Sequence, residues 1–125
     1  MVLKLISISL GSCIGAILRY IATSMSCRYF TSSVYGTFAV NIFGCFLIGC
    51  VMGYVLNKVD DMLQVIKLFL TTGLLGSLTT FSTLNYEVFE LIKSGKFLLG
   101  FGYLFVSCFI GLIFTYLGYL VLNKI

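Results

Sequence analysis

The sequence lacks histidine and contains only four acidic residues among 125. Without histidine, the five cysteines have no partner for a mixed metal-ligand set, and we interpret them as small buried apolar residues. The sequence also shows no pairing of a nucleophile with a general base and no glycine-rich phosphate loop, so an enzyme is not expected. Charged residues make up 10% of the chain, against about a quarter in a soluble domain. The composition therefore indicates a membrane protein.

Apolar segments must have about 20 residues to cross a bilayer as a helix. We predict four such spans, at 3–25, 34–56, 62–84 and 97–122, the third with a helical extension to 93. Lys4 precedes the first apolar segment as in a signal peptide, but no clear cleavage pattern follows, so this segment is interpreted as a mature span. Short connections remain at 26–33, 57–61 and 93–96. The predicted fold is an all-α membrane protein with a single transmembrane domain over 1–125.

The basic residues divide evenly between the two sides of this arrangement. One side holds Lys4, Lys58, Lys67 and Lys124, and the other holds Arg19, Arg28, Lys93 and Lys96. Orientation follows the Lys/Arg imbalance between short loops, so this chain is expected to insert both ways and to form an antiparallel dual-topology dimer. The alternative is that a weak Lys/Arg imbalance exists but is missed by this count, because Arg19 and Lys67 lie near helix ends and could be assigned differently. Such dispersed charges suit anchoring at the lipid interface and do not suggest nucleic-acid binding.

Four helices are few for enclosing a polar pathway, so a dimer would supply missing walls. Two small-xxx-small pairs, Gly11 with Gly15 and Gly49 with Gly53, let helix backbones approach closely. Taken singly, each pair fits packing between two copies and packing within one copy equally well.

Polar side chains inside the spans should face protein, water or a substrate path. Thr37 and Asn41 share one face of the second span, and Tyr103 and Ser107 share one face of the fourth. The segment 71–84, "TTGLLGSLTTFSTL", carries hydroxyls in several directions around a helix. Single hydroxyls can bond back to the preceding turn. The density here instead favours a third span broken near its middle, over a continuous helix.

The four acidic residues are all placed outside the spans, with Glu87 and Glu90 on the extension of the third. A small dual-topology drug or cation exchanger needs a carboxylate in the membrane, so that alternative is disfavoured. The remaining donors are hydroxyls, the Asn41 amide and the positive edges of rings such as Phe81. Neutral donors suit weak binding and release of a small anion.

Three motifs together resemble the CrcB/Fluc family of fluoride channels. They are "GSCIGAILRY" (11–20), "GTFAVNIFGCFLIG" (36–49) and "GLLGSLTTFST" (73–83), on the first three spans and in this order. The resemblance implies an antiparallel dimer in the cell membrane that exports fluoride passively and has a broken third helix. It also implies a structural sodium ion at the dimer interface, held by the backbone carbonyls of Gly76 and Thr79.

The resemblance also implies roles in the fluoride pore. Asn41 would be the pore asparagine, Phe81 a ring that offers its edge, and Arg19 a basic residue near the mouth. Further pore residues would be Ser82, Thr83, Tyr103 and Ser107. Thr37 is added to the predicted pore because it lies on the second-span stripe with Asn41. The chain departs from the family pattern at Leu84, where phenylalanine is usual, and at Ser77, where glycine is usual. Leu84 keeps open a heterodimer with a diverged paralogous subunit in place of a second copy.

Overall fold

The computed structural model describes residues 1–55 and 61–123 and is almost entirely helical there. Four helices are long and apolar enough to cross a membrane: Val2–Phe30, Val34–Tyr54, Met62–Lys93 and Phe97–Leu122. The predicted architecture of four membrane-spanning helices is therefore confirmed, and the chain is a multi-pass membrane protein.

The helical elements follow one another with short connections. They are α1 (Val2–Phe30), α2 (Val34–Val55), α3 (Asp61–Leu68), a π-helical segment (Phe69–Leu75), α4 (Gly76–Leu78), α5 (Phe81–Lys93) and α6 (Phe97–Leu122). Within the third span, α3, the π-helical segment and α4 lie before Thr79 and Thr80, and α5 lies after them. Helix α2 packs mainly on α6, whereas α1 packs mainly on the π-helical segment and less extensively on α2 and α4.

The first helix is longer than the sequence analysis expected, since it ends at Phe30 and not at residue 25. No glycine or proline lies between 26 and 30 to stop it. It ends because Thr31 adopts the left-handed conformation with φ 57°, and the Thr31 amide bonds the Cys27 carbonyl. The predicted connection at 57–61 lies, apart from Asp61, outside the described residues.

The glycine pairs pack within one copy of the chain. A Cβ at Gly11 or Gly15 would overlap carbonyl oxygens of the π-helical segment, and a Cβ at Gly49 would overlap the Thr115 carbonyl oxygen of α6. Gly53 faces the Tyr119 carbonyl oxygen in the same way. Of the two alternatives left open, close packing inside the chain is the one observed, so these glycines lend no support to a dimer.

The interior of a single copy is small. Its apolar centre is formed by Val40, Leu75 and Leu78, with Ala22, Leu47, Ile48 and Leu74 packed around them. Large apolar side chains cover the outside of α1 and α6, for example Leu10, Phe105 and Phe109. In a membrane, lipid can surround such side chains without the penalty that water would impose. Buried polar residues, such as Ser7, Thr37 and Ser107, lie instead where helices pack against one another.

Candidate functional site

Two residues in the third span have extended backbone. Thr79 has φ −79° and ψ 152°, and Thr80 has φ −150° and ψ 114°. The Thr79 amide still donates to the Leu75 carbonyl at 3.0 Å, as in a helix. The Thr80 amide does not continue this pattern, because it donates to the side chain of Asn41 on α2.

Asn41 binds both polar groups of the Thr80 backbone. Its Oδ1 accepts from the Thr80 amide at 2.8 Å, and its Nδ2 donates to the Thr80 carbonyl at 3.2 Å. In a continuous helix the Thr80 amide would donate to the carbonyl four residues earlier, which is that of Gly76. Asn41 therefore both satisfies an extended residue and removes the usual donor from the Gly76 carbonyl. Sequence reasoning expected the Asn41 amide to face an ion and did not expect this contact.

Thr80 also starts the next helix. Its Oγ1 accepts from the Thr83 amide at 3.2 Å, which is an N-cap bond worth about 1 kcal/mol. The same hydroxyl donates to Thr83 Oγ1 at 2.9 Å and lies 3.2 Å from Ser82 Oγ. The hydroxyl groups of Thr80, Ser82 and Thr83 thus interact with one another at the N-terminus of α5. The other amides of the first turn have no intrahelical acceptor and give this end a partial positive charge.

Close approach of α2 to the extended segment depends on Gly44. A Cβ added at Gly44 would overlap the Thr79 methyl group. The Thr79 hydroxyl donates back to the Leu75 carbonyl at 2.9 Å, which is the ordinary behaviour of a threonine in a membrane helix. Its methyl group is thereby directed at α2.

A cavity of about 290 Å³ lies beside the start of α5. Its polar lining comes from Asn41, Thr79, Thr80 and Ser107, and the ring of Phe81 also borders it. The other lining residues are Gly44, Cys45, Ile48, Leu75, Gly76, Leu84 and Cys108. Ser107 is 6% exposed, and its Oγ has no hydrogen-bond partner among the described residues. A buried hydroxyl without a partner is costly, so one that borders a cavity indicates a site for water or a ligand.

Phe81 and Leu84 both border this cavity but differ in exposure. Phe81 is 69% exposed in the single chain, so its ring projects outward at the start of α5. Leu84 is only 4% exposed. Of the two positions at which the sequence departs from the pattern that the resemblance implies, Leu84 is therefore an interior one.

A second polar cluster surrounds Glu87 and corrects the sequence analysis. Glu87 was placed on an amphipathic extension outside the spans, yet it is 7% exposed and faces α2 and α6. Its Oε1 accepts from Ser33 Oγ at 2.5 Å and from Thr37 Oγ1 at 2.8 Å, and its Oε2 accepts from the Tyr103 hydroxyl at 2.9 Å. These three hydroxyls make the burial of a carboxylate tolerable.

Two further cavities meet near this cluster. One of about 520 Å³ includes Arg19 in its lining, and one of about 620 Å³ includes Glu87 and Glu90. They share Cys27, Ser33 and Thr83 as lining residues. A cationic side chain and a carboxylate therefore border adjoining spaces at the same end of the molecule.

All predicted site residues except Ser82 fall into three groups. Asn41, Gly76, Thr79, Phe81 and Ser107 border the cavity beside α5, Thr37 and Tyr103 contact Glu87, and Arg19 and Thr83 border the cavity of about 520 Å³. Ser82 borders none of these cavities and contacts Thr80. Over 1–55 and 61–123, no group of three or more His, Cys, Asp or Glu residues suits a metal ion.

The buried carboxylate that sequence reasoning missed is that of Glu87. One signal was present, because Glu87 lies three residues after Leu84 and next to Val88, and all three are buried on α5. The partners are a second signal: Thr37 and Tyr103 begin the two polar stripes, each one turn before Asn41 and Ser107. A carboxylate opposite two such hydroxyls is better explained as a buried group than as a solvated one.

Comparisons with known proteins agree on one family. The family model described as "CrcB-like protein, Camphor Resistance (CrcB)" matches residues 6–119. A protein of Flavobacterium psychrophilum named "Fluoride-specific ion channel FluC" is 40% identical over 119 residues, covering 94% of this chain and 95% of the relative. Relatives with the same name are 41% identical in Chloroflexus aurantiacus over 92% of this chain and 91% of the relative, and 35% identical in Desulfotalea psychrophila over 98% and 94%. The chain therefore belongs to the CrcB family.

Proposed function

We propose that this chain forms a fluoride-selective channel that exports fluoride passively across the cell membrane. The observation that carries the proposal is the cavity bordered by Asn41, Phe81 and Ser107, with its partnerless buried hydroxyl. Relatives covering most of the chain are named fluoride-specific ion channels, which gives the identity of the ion. The channel has no chemical reaction to catalyse, so it is not an enzyme.

The donors at this cavity suit a small, strongly hydrated anion. Fluoride must exchange its water shell for hydrogen-bond donors, and Ser107 Oγ is available to donate. The start of α5 adds the partial positive charge of a helix N-terminus, and Phe81 can offer a ring edge. α2 and α6 contain no charged side chain, so no fixed cation on them would hold the ion too tightly to leave.

A second copy in the opposite orientation would complete this site. Gly76 and Phe81 border the cavity yet are exposed in the single chain, so a partner surface can cover them. The even division of basic residues supports insertion in both orientations. We therefore propose an antiparallel homodimer, with a diverged paralogous subunit as the alternative partner.

The proposed break in the third span is supported by the extended backbone of Thr79 and Thr80. Non-helical backbone inside a membrane requires protein or water to satisfy its polar groups. Asn41 supplies both partners for Thr80, and the Thr80 side chain caps the helix that follows. Hydrogen bonds from Asn41 on α2 thus stabilise the proposed break.

A structural sodium ion at the dimer interface fits the residues present. Its proposed ligands are the carbonyl oxygens of Gly76 and Thr79. Asn41 takes the amide that would otherwise bond the Gly76 carbonyl, and Gly76 lies on the exposed side of the chain. Neutral carbonyl oxygens are suitable ligands for a hard cation, as in the broken helices of transporters. A sodium ion bound at the dimer interface would supply a positive charge that attracts the carbonyl oxygens of both copies and so helps to hold the two copies together.

The proposal is tested by fluoride efflux from liposomes that contain only this chain, with chloride efflux as the control. We expect a fluoride-selective electrode to record rapid fluoride release, with no chloride release above that of empty liposomes. Crosslinking of the same sample should show a dimer. A folded dimer that releases no fluoride would refute a homodimeric channel. Restoration of flux by a paralogous subunit from the same source would then establish the heterodimer.

A further inference from the structure

We propose that the thiols of Cys45 and Cys108 form a two-coordinate site for a soft monovalent metal ion, Cu(I) or Ag(I), and that an ion bound there slows fluoride flux. Both residues border the cavity beside α5, one from α2 and the other from α6. The effect on flux rests on the proposed function, whereas metal binding does not. The proposal thus gives this cavity a second ligand of different chemistry.

The first argument is the position of the two thiols. A Cβ added at Gly111 would lie 3.2 Å from Cys45 Sγ, so the Cys45 thiol faces α6 at the level of Gly111. Cys108 lies three residues before Gly111 on α6. Residues three apart are neighbours on a helix surface, with Cβ atoms about 5–6 Å apart. Because both cysteines also border the same cavity, their side chains can turn toward one ion between them.

The second argument is the chemistry of the ligands. Thiolates bind soft metal ions such as Cu(I), and a monovalent ion of this kind needs only two of them. The described residues include no group of three or more His, Cys, Asp or Glu that suits a metal, so a four-coordinate site is not expected there. As each sulfur binds the ion, its thiol proton passes to water. A cavity of about 290 Å³ has room for water and for the ion.

The third argument is the polar group beside the thiols. Ser107 precedes Cys108, is 6% exposed, and its Oγ has no hydrogen-bond partner among the described residues. Such a buried hydroxyl at a cavity indicates a ligand or water, and it can donate to a thiolate sulfur. The N-terminus of α5 adds partial positive charge beside the same cavity. Both groups can offset the negative charge of two thiolates bound to one ion.

Metal binding would change the charge of the cavity. Two thiols are neutral, whereas two thiolates with one monovalent cation carry a net negative charge. This charge repels an anion that enters beside Asn41, and the ion also fills part of the space. We therefore expect occupation of the site to slow fluoride flux.

The test measures silver binding to a pair-only chain, in which Cys13→Ser, Cys27→Ser and Cys50→Ser leave Cys45 and Cys108 as the thiols. Equilibrium dialysis in chloride-free solution compares this chain with versions that also carry Cys45→Ser or Cys108→Ser. The second thiol acts at a high effective concentration, so we expect the pair to bind silver on the order of a hundredfold more tightly than either single thiol. Silver X-ray absorption should show two sulfur neighbours in the pair-only chain and one in each single-thiol chain.

A chain that keeps Cys45 and Cys50 in place of Cys45 and Cys108 is the matched control. It has the same number of thiols, but Cys50 lies five residues after Cys45 on α2 and is not part of the lining of this cavity. Residues five apart do not share a helical face. We expect this chain to bind silver no more tightly than a single thiol does.

Equal silver affinity of the pair-only and single-thiol chains would overturn the proposal, as would an equal gain in the control. Two sulfur neighbours that persist after Cys45→Ser would show that silver joins Cys108 of two copies, which would also overturn it. If Cys45→Ser does not fold, Cys45→Ala replaces it with the same expectation.

Fluoride efflux from liposomes tests the effect on flux separately. The pair-only chain should release fluoride without silver, and at least about tenfold more slowly once silver is bound. Undiminished flux from chains shown to hold silver would refute the effect on flux. A folded chain that binds silver through both thiols but releases no fluoride in its absence would refute the channel and leave the metal site.

Discussion

The substitution Asn41→Asp separates two roles of Asn41. One is its electrostatic effect on fluoride, and the other is the pair of hydrogen bonds by which it stabilises the extended backbone of Thr80. An aspartate can still accept from the Thr80 amide, but it cannot donate to the Thr80 carbonyl, which Asn41 does at 3.2 Å. The lost bond costs about 0.6 to 1 kcal/mol of folding free energy, from hydrogen bonds measured in membrane and soluble proteins. The new carboxylate borders the cavity, where water can solvate it, so the fold should survive the change.

The effect on fluoride is expected to be larger. A carboxylate about 4 Å from the ion repels it by roughly 4 kcal/mol at an effective dielectric constant near 20. That energy corresponds to about a thousandfold in rate. Electrostatic repulsion thus exceeds the lost hydrogen bond several-fold, and we expect Asn41→Asp to abolish measurable fluoride efflux while the melting temperature falls only modestly.

Asn85→Asp provides the matched control. Asn85 is exposed, and its Nδ2 donates to the Phe81 carbonyl at 2.9 Å, so the same substitution removes the same kind of bond outside the cavity. We expect this variant to retain flux with a similar small loss of stability. Efflux from liposomes and thermal unfolding in detergent measure the two effects. If folded Asn41→Asp releases fluoride as fast as the unmodified chain, the placement of Asn41 beside the ion is refuted.

Three further substitutions test other parts of the site. Ser107→Ala should unfold at the same or a higher temperature, because a buried hydroxyl without a partner is removed, yet conduct fluoride more slowly; unchanged flux would exclude this hydroxyl from the path. Leu84→Phe should keep or raise flux by adding a ring edge at the cavity, whereas a folded variant without flux would show that the cavity has repacked around leucine. Gly44→Ala should lower the melting temperature and the flux, because its Cβ would push Thr79 away from α2, and a variant of unchanged stability would contradict this packing.

The polar residues show where sequence patterns were sufficient. Thr37 with Asn41, and Tyr103 with Ser107, could be recognised as stripes because helical periodicity fixes which residues share a face. The dense hydroxyls of 71–84 could likewise be singled out. Their partners could not, because a hydroxyl can bond back to its own helix, cap the next helix or face a cavity with the same local sequence. Thr79, Thr80 and Ser107 do these three things in turn.

The sequence by itself determined the four membrane-spanning helices and the membership of the CrcB family, because hydropathy over about 20 residues and the order of motifs are properties of the chain alone. Only the tertiary structure decided that Asn41 braces Thr80, that the glycine pairs pack within one copy, and that Glu87 is buried. These contacts join residues far apart in the chain. Their formation depends on which helices become neighbours, and periodicity within a single helix does not contain that information.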